Sequence, residues 1–183
     1  DYSQIELRVL AHLSGDENLT QAFLEDRDIH AFVAPLLYGV KESDVTREMR
    51  DVAKTINFSV IYGKTAFGLA QDLKISVAEA DQFIESYFRR YPRVESYLEN
   101  QKVMARAQGW LATIFGRRSY FPEINAKNQQ LRGFAERAAV NAPIQGSAAD
   151  LIKAAMIVIQ EKLEGRGGPP AHPFKSLMII QVH

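Results

Sequence analysis

Apolar residues recur at helical spacing along most of this chain. Ile5, Leu7, Val9, Leu10 and Leu13 make one helical face, which stops at Ser14-Gly15. Residues 19–24 begin a second short helix, and a third, over about residues 30–38, stops at Gly39. Asp44 or Thr46 is placed to cap a fourth helix that reaches towards Tyr62 and Gly63. Ser76-Val-Ala-Glu79 fits a capping box, in which a hydroxyl and a carboxylate each satisfy a backbone N–H at a helix start. It opens what reads as the longest helix, through Phe83, Tyr87 and Phe88, with a kink expected at Pro92.

The pattern changes near residue 110. Residues 110–115 and 119–121 read as strands around Gly116-Arg117-Arg118, a hairpin with a basic tip, which Pro122 closes. Residues 128–164 return to helical spacing, polar first and then, over residues 152–159, apolar enough to be buried; Pro143 and Gly146 are expected to interrupt them. Residues 165–170 are a turn-rich connector, and residues 177–182 read as a strand. The fold class is α+β and mainly helical, with a few antiparallel strands.

Composition narrows the possibilities. The 183 residues carry 22 Lys and Arg against 22 Asp and Glu, so this is no uniformly basic binder; at 46% hydrophobic it is neither disordered nor collagen-like. Without cysteine there is no disulfide framework, thiol nucleophile or cysteine metal site. No uninterrupted apolar run approaches the ~18 residues of a membrane span, and no secretory leader is apparent, so a soluble protein is expected. The chain starts at Asp1 and stops at His183 directly after a strand-like run, and it reads as a piece of something longer.

Charge is unevenly placed. Residues 1–28 hold seven acids against two bases, and residues 102–137 hold seven bases against two acids. The first stretch suits cations and the second a polyanion, although solvated helix faces produce the same swings. Within the fourth helix, Arg50, Lys54, Phe58 and Tyr62 are spaced by four and share one slowly winding face about 18 Å long. Two cations followed by two rings would hold a nucleotide lengthwise, phosphates on the cations and base on the rings. A core helix whose Arg and Lys stems lie over apolar surface would show the same stripe.

Arg50-Asp-Val-Ala-Lys54-Thr-Ile-Asn-Phe58-Ser-Val-Ile-Tyr62-Gly63 resembles the fingers-helix motif of family A DNA polymerases, and Asp1-Tyr-Ser-Gln-Ile-Glu-Leu-Arg8 resembles their first palm motif. Ala135-Glu-Arg137-Ala-Ala-Val-Asn141-Ala-Pro-Ile-Gln145-Gly-Ser-Ala-Ala-Asp150 matches a third stretch, and Gln181-Val182-His183 looks like the start of the last palm motif. The four occur in the family's order and span the chain. The resemblance implies a palm start over residues 1–29, mostly fingers over 30–110, and the hairpin, long helix and a palm strand over 111–183.

It further implies template-directed DNA synthesis, in which a deoxynucleoside monophosphate passes from a dNTP to a primer 3′-hydroxyl with two Mg²⁺ ions. Asp1 and the backbone carbonyl of Tyr2 are the implied metal ligands. In relatives a second aspartate directly follows the residue matching His183, so these residues alone are expected to be inactive. Lys54 would contact the phosphates and protonate the leaving pyrophosphate, and Arg50 would grip the γ-phosphate. Phe58 would stack behind the sugar and base and bias against dideoxynucleotides, while Tyr62 would occupy the template-stacking position. His30 would touch phosphate, Glu6 would fill the space of a ribose 2′-hydroxyl, and Gln4 would join the dNTP-binding set.

On the duplex side, Arg137, Asn141 and Gln145 are again spaced by four. With His183 they would place donors in the minor groove, where every correct pair offers acceptors. Asn141 and Gln145 could instead satisfy backbone freed by Pro143. Arg117 and Arg118 would meet phosphates, although relatives often have a third Arg where this chain has Ser119. The implied partners are primer–template DNA and dNTPs, bound by a monomer away from any membrane. A non-catalytic DNA-binding helical module is the alternative, and a small-molecule nucleotide transferase a third reading.

Overall fold

The computed structural model describes residues 4–163, and within them eight α-helices enclose the core while a single hairpin supplies the strands. Asp1, Tyr2, the 165–170 connector, the 177–182 strand and His183 lie outside the described residues.

Local chemistry sets most helix boundaries. α1 (Ile5–Ser14) stops where Gly15 takes a left-handed conformation and donates its N–H to the Ala11 carbonyl. α2 (Glu17–Leu24) and α3 (Ile29–Tyr38) are capped by the carboxylates of Asp16 and Asp28. Of the two candidates for the fourth cap, Thr46 is used, its hydroxyl accepting from Met49 N–H at the start of α4 (Arg47–Ile61). A short helix absent from the sequence reading, α5 (Ala66–Leu73), follows under a Thr65 cap. The Ser76–Glu79 capping box is complete and starts α6 (Val77–Arg90).

Pro92 does not kink a long helix. It is the first residue of a separate one, α7 (Pro92–Gln108), where its missing N–H costs nothing and its fixed φ suits the start. No local side chain caps α7; Asp16, 1% exposed, accepts both Leu19 N–H at 3.0 Å and Arg93 N–H at 3.1 Å. One buried carboxylate thus serves two helix starts, although Asp16 and Arg93 are 77 positions apart.

β1 (Trp110–Ala112) and β2 (Arg118–Tyr120) pair antiparallel in the register Trp110↔Tyr120, shorter than expected but with Gly116 in the turn. After a 3₁₀ turn over Pro122–Asn125 comes α8 (Gln129–Leu163), which is the longest described helix and runs unbroken through Pro143 and Gly146. Val140, Ile144 and Ala148 bury one side of it in the main core, and Ala135 and Ala139 join Leu111, Phe121 and Ile124 in a smaller core under the hairpin. Packing on both sides outweighs the ~3 kcal/mol that a mid-helix proline costs.

The expected burial of residues 152–159 holds only at Ile152. Ile157 is 61% exposed, and Val158 and Ile159 are also open. By length and composition alone, α8 is also apolar enough to cross a membrane.

Gly146 lies against the hairpin. A Cβ there would stand 2.7 Å from Thr113 Cγ2 and 3.1 Å from Arg117 Nη2, so its bare backbone lets the hairpin sit close to α8. Across the same contact, Ser147 accepts the Ile114 N–H at 3.0 Å.

Candidate nucleotide and nucleic-acid site

The α4 stripe gathers groups from three other helices along its length. At its N-terminal end, Arg50 Nε donates to Asp28 Oδ2 at 2.6 Å, while the other oxygen of Asp28 caps α3. Burial alone would raise the Asp28 carboxyl, but the hydrogen bonds from Arg50 and the α3 backbone outweigh it and hold the pKa below its ordinary value. Lys54, one turn on, is exposed and makes no ion pair among the described residues.

The middle of the stripe meets α3. His30, 2% exposed, stands 6.1 Å from Phe58 between ring centroids, and its Nδ1 lies 2.9 Å from the amide nitrogen of Asn57. Desolvation lowers the His30 pKa from 6.5 to about 4, and the charges of Arg50 and Lys54 add to this against Asp28 and Asp51. The ring is therefore neutral at physiological pH.

At the C-terminal end, Phe58 and Tyr62 stack at 6.1 Å, and the Tyr62 hydroxyl donates to Glu6 Oε2 of α1 at 3.2 Å. Burial raises the Tyr62 pKa; the Glu6 carboxylate adds to that, and a hydrogen bond with Gln145 of α8 opposes it. Gln4, immediately before α1, takes a left-handed backbone conformation and supplies no side-chain cap.

α8 forms a neighbouring wall. Gln145 reaches Tyr62, and Arg137 packs beside Gly63, whose φ of 62° marks the exit from α4. The two stripes spaced by four, separate in sequence, therefore meet at Tyr62 and Gly63. Asn141 lies on the same face with its side-chain oxygen buried and unpartnered among the described residues. Next to Gly63 opens a cleft of about 510 Å³ whose lining includes Lys102, Arg106, Arg132 and Arg137 against the single carboxylate of Glu136. Glu136 pairs with Arg106 at 2.6 Å and lies 4.0 Å from Arg132, leaving cationic excess in the wall.

The hairpin arginines are more committed than their position suggests. Arg117 donates to Asp150 at 2.9 Å and to the Gly146 carbonyl at 3.1 Å, which ties the tip to α8. Burial would raise the Asp150 carboxyl, but hydrogen bonds from Thr113 and Arg117 lower it on balance. Arg118 lies in β2 with its guanidinium 4.1 Å above the Trp110 ring.

Several of these residues escaped the sequence reading. Asp28 has the signature of a cap, an acid just before an apolar helix, and Asn57 is a polar residue inside the apolar run of α4. Lys102, Arg106 and Arg132 were legible as basic charge but not as one wall. Among the described residues no three His, Asp or Glu side chains converge to hold a metal, and the implied ligands Asp1 and Tyr2 lie outside them.

A nucleotide-sized cation-and-ring stripe beside a basic cleft is the kind of site that nucleic-acid-copying proteins use, and the whole chain agrees: the model of DNA polymerase family A matches residues 1–183, so the chain belongs to that family. It is 50% identical over 183 residues to DNA polymerase I of Caldicellulosiruptor bescii, covering all of this chain and 21% of that protein. DNA polymerase I of Pseudomonas aeruginosa is 46% identical over 183 residues, again with all of this chain and 19% of that protein. Among solved structures, the polymerase domain of Pol1 from M. smegmatis, in complex with DNA primer-template and dNTP, superimposes with a TM-score of 0.85 at 48% identity. The match covers 91% of this chain and 30% of that one. The chain thus spans about a fifth of the length of these curated relatives.

Proposed function

We propose that this chain supplies the nucleotide-gripping wall and part of the duplex-binding wall of a template-directed DNA polymerase. The reaction transfers a deoxynucleoside monophosphate from a dNTP to a primer 3′-hydroxyl. The observation that carries this reading is the α4 face, where Arg50, Lys54, Phe58 and Tyr62 run in line with Asp28, His30 and Glu6 drawn to them from α3 and α1. The M. smegmatis relative, solved with primer-template and dNTP, supports it.

In this reading Arg50 takes the γ-phosphate through the nitrogens that Asp28 leaves unused. Lys54, exposed and without an ion pair among the described residues, binds the phosphates and delivers a proton to the departing pyrophosphate. Phe58 backs the sugar and base. Glu6, its carboxylate held by Tyr62, excludes a ribose 2′-hydroxyl. Arg137, Asn141 and Gln145 face the minor groove near the primer end, joined by His183, and the basic cleft beside Gly63 takes template phosphates. Arg117 and Arg118 brace the hairpin and offer their remaining donors to the duplex backbone.

Divalent ions, for which we propose Mg²⁺, would be held by Asp1 and the Tyr2 carbonyl together with a carboxylate beyond His183; when bound, they neutralise charge on the reacting phosphate. We further propose palm residues at 1–29, fingers over most of 30–110, and hairpin and palm elements over 111–183, in a monomeric cytoplasmic protein associated with the bacterial nucleoid. These residues alone would not polymerise.

Primer extension with Mg²⁺ by the full-length polymerase carrying this chain is the test. Incorporation that Asp1→Ala or Lys54→Ala abolishes, with primer–template binding retained, is the expected result. Binding without any incorporation would establish a non-catalytic DNA-binding module instead, and turnover independent of template a small-molecule transferase.

A further inference from the structure

His30 and Asn57 meet where α3 packs on α4, both inside the protein at 2% and 0% exposure. The pair is joined through His30 Nδ1 and Asn57 Nδ2 at 2.9 Å, and the Asn57 side-chain oxygen is buried with no partner among the described residues. Two proton arrangements suit such a pair. Either the amide N–H donates to a bare Nδ1, or the amide is turned and its oxygen accepts from a protonated Nδ1. The first leaves a carbonyl oxygen unpartnered, whereas the second leaves an NH₂ group, and orphaned buried donors are the rarer of the two. The first is therefore the stable arrangement.

A neutral imidazole has one N–H. Burial together with Arg50 and Lys54 on α4 keeps this ring neutral against the opposing carboxylates of Asp28, the cap of α3, and Asp51 on α4. With Nδ1 occupied as an acceptor, the proton sits on Nε2, on the far side of the ring from Asn57. The other tautomer would show a phosphate oxygen a lone pair.

We infer that Asn57 is a positioning residue for nucleotide binding: by donating to Nδ1 it locks His30 as the Nε2–H tautomer, so that the ring offers a hydrogen-bond donor to the phosphates of the incoming dNTP. This rests on the proposed contact between His30 and phosphate. On α4, Asn57 is the residue immediately before Phe58 and three beyond Lys54, so the helix that carries the phosphate and base contacts also sets the proton on α3.

The test is steady-state incorporation by the full-length polymerase carrying this chain, comparing wild type with His30→Leu, Asn57→Leu and the double variant. Loss of one hydrogen bond to a charged phosphate should raise the dNTP KM roughly tenfold in His30→Leu, which has no donor. Asn57→Leu should raise it in the same direction, and the double variant should be no worse than His30→Leu alone. A raised KM in His30→Leu with native KM in Asn57→Leu, or effects that multiply in the double variant, would overturn the positioning role. An unchanged KM in His30→Leu would instead overturn the phosphate contact beneath it.

Should Asn57→Leu fail to fold, the near-isosteric Asn57→Asp decides. Its carboxylate accepts rather than donates, so it draws a proton onto Nδ1. The new carboxylate also favours the doubly protonated ring, which still donates from Nε2, so the KM ratio of variant to wild type should be smaller at about pH 6 than at about pH 8. A ratio flat with pH would refute the tautomer lock.

Discussion

Arg50 and Asp28 are joined at 2.6 Å across the α3–α4 contact, and the same carboxylate caps α3 through His30 and Ala31 N–H. Asp28 thereby fixes Nε of Arg50 and leaves the two terminal nitrogens for a ligand. Asp28→Asn preserves the cap but loses the ionic hydrogen bond. It should raise the dNTP KM several-fold, while the melting temperature barely moves because the pair is about 40% exposed. A nucleotide titration alongside thermal unfolding checks both parts.

His30 makes the fold sensitive to acid. Its pKa falls from 6.5 to about 4 on folding, so above pH 6.5 neither state binds the proton and no stability is at stake. Below 6.5 the unfolded chain takes up a proton that the folded one refuses, and stability drops until about pH 4, by an upper bound of about 3 kcal/mol. Urea denaturation of wild type and His30→Gln should show a gap at neutral pH that narrows on acidification. A constant gap would contradict the buried neutral ring.

Arg137 stands beside Gly63 in the basic cleft. If it neutralises one phosphate, Arg137→Ala in the full-length polymerase should reduce the log–log salt slope of primer–template binding by about one unit. The slope would stay at its wild-type value if the side chain serves only to pack against α4.

The closeness of Gly146 to Thr113 predicts that Gly146→Ala destabilises by about 1–3 kcal/mol, less the gain of ~1 kcal/mol in helix propensity. Thr113→Ser removes the methyl that would clash and keeps the hydroxyl that accepts Arg117 N–H. The double variant should recover most of the loss in a thermal melt.

Asp16→Ala removes the buried acceptor shared by the starts of α2 and α7. A loss of about 2–4 kcal/mol in chemical denaturation is expected, more than for an ordinary cap because two N–H groups are orphaned together.

Features written in consecutive residues were legible in the sequence. The Thr46 and Ser76 caps, the Gly15 and Gly39 stops and the phase of the Arg50–Tyr62 stripe all follow from neighbours within a turn or two. Pro92 was misread because a proline inside a helix and a proline beginning one have the same local sequence; the cap that decides between them, Asp16, lies far away in the chain. Pro143 failed the opposite way, since burial on both flanks overrode a local breaker. The site divided along the same line. The α4 and α8 stripes could be read singly, but their meeting at Tyr62, the grip of Asp28 on Arg50 and the Asn57–His30 pair depend on packing that no spacing encodes.

α8 threads both cores, with Ala135 and Ala139 gripped beneath the hairpin and Val140, Ile144 and Ala148 gripped by the helices that include α1 and α4. It is an axle seated in two bearings. The contacts that α8 makes with the end of α4, Arg137 to Gly63 and Gln145 to Tyr62, are thus borne by the same rod whose Gly146 seats the hairpin, so one helix sets the spacing of both.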